Sequence, residues 1–272
     1  MNYIGIDIGT SNIKMVEVDE KLIIKNKLIL EKMEPMKALQ EFINKNNIEL
    51  KNIEKIIATG VGANGLGNEF KEIEIVKVPE FIAIANGGKL ANLNGDFLVV
   101  SIGTGTAFIK YENKEITHIG GTGVGGGTLI NLCRNIVPNI SFEEINKSIK
   151  QGSLDNVDLM IKDITNEKIK TLPMDTTAAN FGRLNKSVKS EDIIKGFANM
   201  IFESIGVMAA FGAKSSNIKT IIVIGQLAKM PFAREVLDKI EVLHNVKFII
   251  PENPEFLVSI GAIKERLKNC EM

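Results

Sequence analysis

The segment Ile4-Gly5-Ile6-Asp7-Ile8-Gly9-Thr10-Ser11, near the start of the chain, has a second copy in Leu98-Val99-Val100-Ser101-Ile102-Gly103-Thr104-Gly105. In each copy an apolar, β-branched run leads into a Gly-Thr turn, and a second apolar run follows the turn. This pattern predicts a β-hairpin whose tip exposes backbone N–H groups and hydroxyls. Glycine lets a ligand approach the backbone closely, and clustered N–H groups attract anions. Two such tips facing each other would hold a polyphosphate from both sides.

The two copies differ in charge. Asp7 of the first copy corresponds to Ser101 of the second. Because Mg²⁺ is bound through one or two carboxylates together with phosphates and water, we expect Asp7 to hold Mg²⁺ through water. Lys14, on the returning strand of the first hairpin, is a candidate to neutralise a phosphoryl group during transfer. A solvated strand lysine is the structural alternative for Lys14.

Length and composition set the class of protein. The chain has 272 residues, enough for two domains. Lys plus Arg and Asp plus Glu number 33 each, so nothing favours a nucleic-acid or membrane-surface partner. No apolar run reaches the roughly 18 residues that span a bilayer. The first predicted strand begins too early for a secretory signal, and the two cysteines lack metal or redox spacing. We expect a cytoplasmic protein.

The order of apolar runs predicts an α/β fold with mixed sheets. We place a first domain at residues 1–95 and a second at residues 96–272. Each starts with a three-stranded meander and continues with alternating helices and strands. Residues 140–215 are predicted to be a mostly helical insertion. Its long helix, Ser190–Lys214, is too apolar for a single buried stripe, so it is expected to be buried within the domain or against another subunit.

Two further glycine segments indicate ligand sites. Gly120–Gly127 contains six glycines in eight residues before a helical segment, which predicts a loop that enters an anion-binding helix N-terminus. The apolar strand Thr220–Ile224 ends in Gly225-Gln226, at the strand edge where α/β sheets bind ligands. Together with the hairpin tips, these segments give the candidate nucleotide and phosphate residues: Gly9, Thr10, Ser11, Gly103, Thr104, Gly105, Gly121, Gly125, Gly126, Gly127, Gly225 and Gln226.

Glu80 follows Pro79 at the predicted start of a helix. The positive end of the helix favours the ionised carboxylate. Beside a phosphate cleft, such a group can accept the proton of a substrate hydroxyl. A simple interaction with the helix dipole is the alternative.

Four motifs occur in one order and carry a family resemblance: Val78-Pro79-Glu80-Phe81, Ile102-Gly103-Thr104-Gly105-Thr106, the Gly120–Gly127 segment, and Asp175-Thr176-Thr177-Ala178-Ala179-Asn180-Phe181-Gly182. This set resembles the type II pantothenate kinases, and the similarity runs from Gly5 to Ala262. The resemblance implies the duplicated ribonuclease-H-like fold of actin and hexokinase, with a nucleotide cleft between the domains. It also implies ATP and Mg²⁺ as cofactors, and Glu80 as the base. The implied reaction phosphorylates pantothenate in the first step of coenzyme A synthesis, in a homodimer paired through residues 190–214.

The same resemblance places Thr104, Thr106, His118, Ala179 and Asn180 on the substrate side. His118 stands where the family has an arginine, and a histidine holds a carboxylate less well than a bidentate arginine. Asn180 has an alternative role in holding its loop through bonds to the backbone. The first loop also departs from the family pattern, because Thr10 stands where the family usually has a second glycine. With these departures, two other functions stay open. One is a kinase of the same fold for another small hydroxyl substrate, such as an amino sugar, and the other is a nucleotide-binding ATPase or regulator without an acceptor.

Overall fold

The structure, a computed structural model, describes residues 1–91, 95–167 and 172–268. The first part of the chain supplies a mixed six-stranded sheet from β1 (Asn2–Ile8), β2 (Asn12–Asp19), β3 (Ile24–Glu31), β4 (Ile53–Thr59), β5 (Glu69–Phe70) and β6 (Ile73–Lys77). Its strand order is β3-β2-β1-β4-β6-β5. The first three strands form an antiparallel meander, and β4 and β6 run parallel to β1.

The second sheet repeats this topology. Strands β7 (Phe97–Ile102), β8 (Thr106–Glu112) and β9 (Glu115–Thr122) form a meander. After a two-stranded ribbon of β10 (Leu159–Met160) and β11 (Thr177–Ala179), the strands β12 (Thr220–Ile224) and β13 (Lys247–Ile249) complete the sheet. The order is β13-β12-β7-β8-β9, with β12 parallel to β7. The predicted duplicated α/β fold is therefore confirmed.

The helices form layers around the two sheets. They are α1 (Pro35–Lys45), α2 (Glu80–Lys89), α3 (Gly126–Ile136), α4 (Phe142–Gln151), α5 (Ser190–Ser215), α6 (Pro231–His244) and α7 (Leu257–Lys268). Helices α2 and α7 lie between the sheets, because one core cluster joins their side chains to residues of both sheets. We call the first sheet with α1 the first lobe, and the second sheet with α3 to α6 the second lobe. The division at residue 95 stays a prediction, and α7, from the C-terminal end, packs against β1 and β4.

Two segments differ from the sequence-based expectation. The first part of the segment predicted as a glycine loop, Gly120–Gly127, belongs to strand β9, which ends at Thr122. In this strand Gly121 pairs with Ala107 of β8. The predicted mostly helical insertion is helical mainly at its two ends, α4 and α5. Between them lie turns, short 3₁₀ segments and the ribbon. A polar network shapes this part, since the buried Asp158 carboxylate accepts hydrogen bonds from the Phe181 N–H and the Asn199 side chain.

Helix α5 agrees with the predicted long apolar helix. By length and composition alone it could cross a membrane, but 56% of its apolar window is buried inside the protein. This burial is that of a core helix.

Candidate functional site

A cleft of about 720 Å³ lies between the lobes. The ends of β1, β7 and β12 and the start of α2 contribute its walls. Parallel strands present their carboxyl ends at one sheet edge, which is where α/β proteins bind ligands. The cleft therefore lies where the sequence predicted the nucleotide site.

The two Gly-Thr turns meet across this cleft. The Ser11 hydroxyl oxygen lies 2.9 Å from the Thr104 hydroxyl oxygen. Beside this contact, the Asn12 amide donates to the Gln226 side-chain oxygen over 3.0 Å. The two hairpin tips and the end of β12 thus converge on one point, as a site for a polyphosphate requires.

The first hairpin carries a buried ion pair. Asp7 and Lys14 are opposite each other in the β1–β2 register, and the Lys14 Nζ lies 3.3 Å from Asp7 Oδ2. Both residues are less than one-tenth exposed. The corresponding pair in the second hairpin, Ser101 and Ala107, is uncharged. Formal charge is therefore concentrated on the hairpin of the first lobe.

Glu80 lies beside this ion pair. It is the first residue of α2 and lines the cleft. Burial raises the pKa of the Glu80 carboxyl, the negative charge of Asp7 raises it further, and the positive charge of Lys14 acts against both. A carboxylate with a raised pKa holds a proton more firmly, so it is a better base near neutral pH than an exposed glutamate.

The three consecutive glycines support the second hairpin tip. The Gly126 and Gly127 N–H groups donate to the carbonyl oxygens of Gly103 and Thr104 over 2.8 and 2.9 Å. A Cβ at Gly125 would lie 2.8 Å from the backbone of Gly105. Only glycine allows this backbone-to-backbone approach. The start of α3 thus holds the second tip in place, and in this state the Gly126 and Gly127 N–H groups are used for that purpose rather than for an anion.

Most candidate residues line the cleft: Asp7, Gly9, Thr10, Ser11, Lys14, Glu80, Gly103, Thr104, Gly105, Thr106, His118, Gly121, Gly126, Gly127 and Gln226. Their assigned roles stay predictions. Gly125 and Gly225 do not line it and belong to the supporting backbone, where the Gly225 N–H donates to the Pro254 carbonyl oxygen.

Ala179 and Asn180 lie away from the cleft of their own chain. Ala179 ends the ribbon strand β11. The Asn180 amide donates to the Glu203 carboxylate on α5 over 3.0 Å. This bond joins Asn180 to a side chain of α5 rather than to the loop backbone named in the structural alternative, and the substrate-side role of Asn180 stays a prediction.

His118 and Thr106 both reach the cleft. The His118 ring stacks on the Phe81 ring with a centroid distance of 4.2 Å and an interplanar angle of 11°. Because Phe81 follows Glu80, this stack borders the candidate base. The Thr106 hydroxyl donates to the Val124 carbonyl oxygen over 2.8 Å, so it also fixes the second hairpin to the loop before α3.

Sequence reasoning missed one wall of the cleft. Ile130, Asn131 and Arg134 line it from α3, together with Phe142 and Leu227 from other segments. The α3 residues follow Gly127 at intervals of three, four and seven residues, which is the spacing of one helix face. This spacing from the last of the three consecutive glycines is the sequence signal that could have predicted these cleft residues.

The donor groups fit Mg²⁺ carried by a nucleotide. Within the described ranges, no three His, Cys, Asp or Glu side chains are grouped closely enough to hold a metal. Mg²⁺ does not need a group of three protein ligands, since one carboxylate together with phosphates and water is sufficient to bind it. The absence of a side chain at Gly60 leaves room for water and a metal ion beside Asp7. A Cβ at Gly60 would lie only 2.8 Å from Asp7 Oδ1.

Two lobes of repeated topology around this cleft define the actin- and hexokinase-type ATPase fold. The activator of the 2-hydroxyisocaproyl-CoA dehydratase from Clostridium difficile with bound ADPNP has a TM-score of 0.68 at 15% identity, covering 100% of this chain and 96% of that one. A ROK family glucokinase from Streptomyces griseus in complex with glucose and AMPPNP has a TM-score of 0.66 at 12% identity, covering 97% and 99%. The Fumble family model matches residues 92–237, and the chain belongs to the Fumble family.

A curated relative agrees with this assignment over nearly the whole chain. The type II pantothenate kinase of Staphylococcus haemolyticus (strain JCSC1435) is 27% identical over 271 residues, covering 96% of this chain and 98% of the relative. The resemblance to type II pantothenate kinases, inferred from the four motifs, is thereby confirmed.

Proposed function

We propose that this chain is an ATP-dependent kinase that phosphorylates pantothenate to 4'-phosphopantothenate, the first step of coenzyme A biosynthesis. The observation that carries the proposal is the position of Glu80 beside the Asp7–Lys14 pair, in the cleft where the two hairpin tips meet. The relative from Staphylococcus haemolyticus supports the choice of acceptor.

Different residues of the cleft have different roles in the reaction. The turns that meet at Ser11 and Thr104 hold the phosphates of ATP from both lobes. Asp7 would hold Mg²⁺ through water, and the ion would supply positive charge against the phosphate oxygens. Lys14 faces the transferring group, and Glu80 accepts the proton of the acceptor hydroxyl. Catalysis therefore comes from positioning and from fixed charges.

The wall formed by α3 together with Phe142 and Leu227 accommodates the nucleoside. Ile130, Phe142 and Leu227 offer apolar surface, and Arg134 offers a planar cation beside them. An aromatic base stacks well on such surfaces. Gln226 connects this wall to the phosphate region, since its side chain is bonded to Asn12.

The acceptor end of the cleft is defined by Glu80 and the His118–Phe81 stack. His118 offers a ring nitrogen to a carboxylate or hydroxyl. This residue favours one alternative, a kinase of the same fold for another small alcohol such as an amino sugar, because a histidine holds a carboxylate less firmly than a bidentate arginine.

A coupled ADP-release assay with a panel of alcohols tests the acceptor. We expect turnover with pantothenate and ATP, and only a background rate when either pantothenate or Mg²⁺ is left out. Activity on an amino sugar without activity on pantothenate would contradict the proposed acceptor. Rapid ATP hydrolysis that needs no acceptor would instead support the ATPase alternative.

We further propose that two copies pair through α5 in a cytoplasmic homodimer without a membrane. Phe211 on α5 is 59% exposed, and Val242 on the adjacent α6 is 77% exposed. The Phe211 ring contacts the His244 ring, so Phe211 lies where α5 meets α6. We propose this exposed part of α5 and α6 as the face that pairs, because contact with a second copy would remove its apolar side chains from water.

Phe211→Glu should weaken the dimer about 10- to 100-fold, because it places an unpaired charge in the contact. Sedimentation equilibrium measures this dissociation constant. Ile23→Glu is the control, since Ile23 is also exposed but lies in the first lobe. A wild-type chain that sediments as a monomer, or equal effects of the two substitutions, would contradict the α5 interface.

A further inference from the structure

Thr59 is a buried residue that the proposed reaction does not yet use. It ends β4 and lies directly beside Asp7 in the parallel β1–β4 register. Its side chain has no solvent exposure. Among the residues that the structure describes, its hydroxyl oxygen has no hydrogen-bond partner. Buried hydroxyls are normally paired, because an unpaired one is costly.

The Thr59 side chain lies on the same face of the sheet as the ion pair. Side chains alternate across a strand. Ile57, two residues before Thr59, belongs to the core between the sheets together with Tyr3 and Val16, whereas Ile56 and Ala58 belong to the core on the opposite face. By the same alternation, Asp7 shares the face of Tyr3 and Lys14 shares that of Val16.

Thr59 also lies close to the strand that leads to Glu80. The Val78 N–H donates to the Ala58 carbonyl oxygen over 2.9 Å, which joins the ends of β4 and β6. Two residues later α2 begins at Glu80. Thr59 thus lies between the strand that carries Asp7 and the segment that carries the candidate base.

The two oxygens of the Asp7 carboxylate have different neighbours. Oδ2 faces the Lys14 ammonium, whereas Oδ1 faces Gly60, the residue after Thr59. In the proposed reaction Lys14 turns toward a phosphate oxygen of the nucleotide. The Asp7 carboxylate then loses its direct ionic contact with Lys14, although it must keep its position to hold water on Mg²⁺.

We propose that Thr59 is a positioning residue for Asp7, whose hydroxyl donates a hydrogen bond to the Asp7 carboxylate when Lys14 turns to the bound nucleotide. This inference rests on the proposed function. It accounts for a buried hydroxyl at a position where valine would fill the same space.

Thr59→Val and Thr59→Ser form the matched pair of variants. Valine keeps the shape and removes the donor, whereas serine keeps the donor. The ligand-free Val variant should unfold in urea at the same concentration as wild type or a higher one, because an unpaired buried hydroxyl has been removed. Its dissociation constant for AMPPNP with Mg²⁺, measured by calorimetry, should rise about 10- to 100-fold. The Ser variant should stay within about threefold of wild type.

A double-mutant cycle with Asp7→Asn separates positioning from general packing. If Thr59 acts through the Asp7 carboxylate, Thr59→Val should have little further effect on AMPPNP affinity in the Asp7→Asn background. Equal losses in both backgrounds would overturn the inference, and so would a Val variant that is less stable but binds as wild type does. Wild-type protein that binds no AMPPNP with Mg²⁺ would instead overturn the proposed function, and the role of Thr59 with it.

Discussion

Glu80→Gln should lower kcat by about two to four decades while the KM for ATP changes by less than about threefold. The amide keeps the size of the side chain but cannot accept the proton of the acceptor hydroxyl. Steady-state ADP release with pantothenate measures both constants. Glu31→Gln is the matched control, because Glu31 also lines the cleft but belongs to the exposed end of β3. We expect that control to stay within a few-fold of wild type.

The pH profile gives an independent check on Glu80. The active form is the deprotonated carboxylate, and burial together with the charge of Asp7 raises its pKa. Activity should therefore fall with decreasing pH at a higher pH than an exposed glutamate, with its reference pKa of about 4.3, would cause. The residual activity of Glu80→Gln should lack this acidic limb. Near-normal turnover of the Gln variant would show that another group is the base.

Gly261→Ala should lower the free energy of unfolding by about 3 kcal/mol. Gly261 lies where α7 crosses α2, and a Cβ there would lie 2.1 Å from the Ala83 carbonyl oxygen and 2.4 Å from the Gly87 nitrogen. The obstructing atoms are backbone, so the methyl group fits only if the two helices separate. Because these helices lie between the sheets, such a separation disturbs the core that joins both lobes. Urea unfolding measures the loss.

Gly212→Ala serves as the control for a glycine within a helix. The nearest atom to its added Cβ is the terminal Cδ1 of Ile119 at 3.1 Å, and Ile119 is 40% exposed and free to adjust. Since alanine favours a helix over glycine by about 0.5–1 kcal/mol, Gly212→Ala should change stability by less than about 1 kcal/mol. Equal stabilities of the two variants would argue against a tight crossing of α2 and α7.

Local patterns predicted most of the cleft, and long-range packing accounts for what was missed. The repeated Gly-Thr turns and the Pro79-Glu80 helix start are short signals, and the structure brings them to one cleft. The partner of Asp7 depends on hairpin register, which a sequence leaves open when the turn length is unknown. The close crossing of α2 and α7 at Gly261 involves Ala83 and Gly87, which are far from Gly261 in the chain. No local sequence pattern therefore predicts it. Helix periodicity could have placed Arg134 on the same face of α3 as Ile130. Which face of α3 lines the cleft could be identified only from the fold.

Asp7 and Lys14 lie on one hairpin of the first sheet, whereas Glu80 begins α2, which packs against the second sheet. The distance between Asp7 and Lys14 is therefore fixed within a single hairpin, and the position of Glu80 relative to that pair depends on the packing of α2 between the sheets. A change in the separation of the two sheets would leave the ion pair intact but would alter the distance from the ion pair to Glu80.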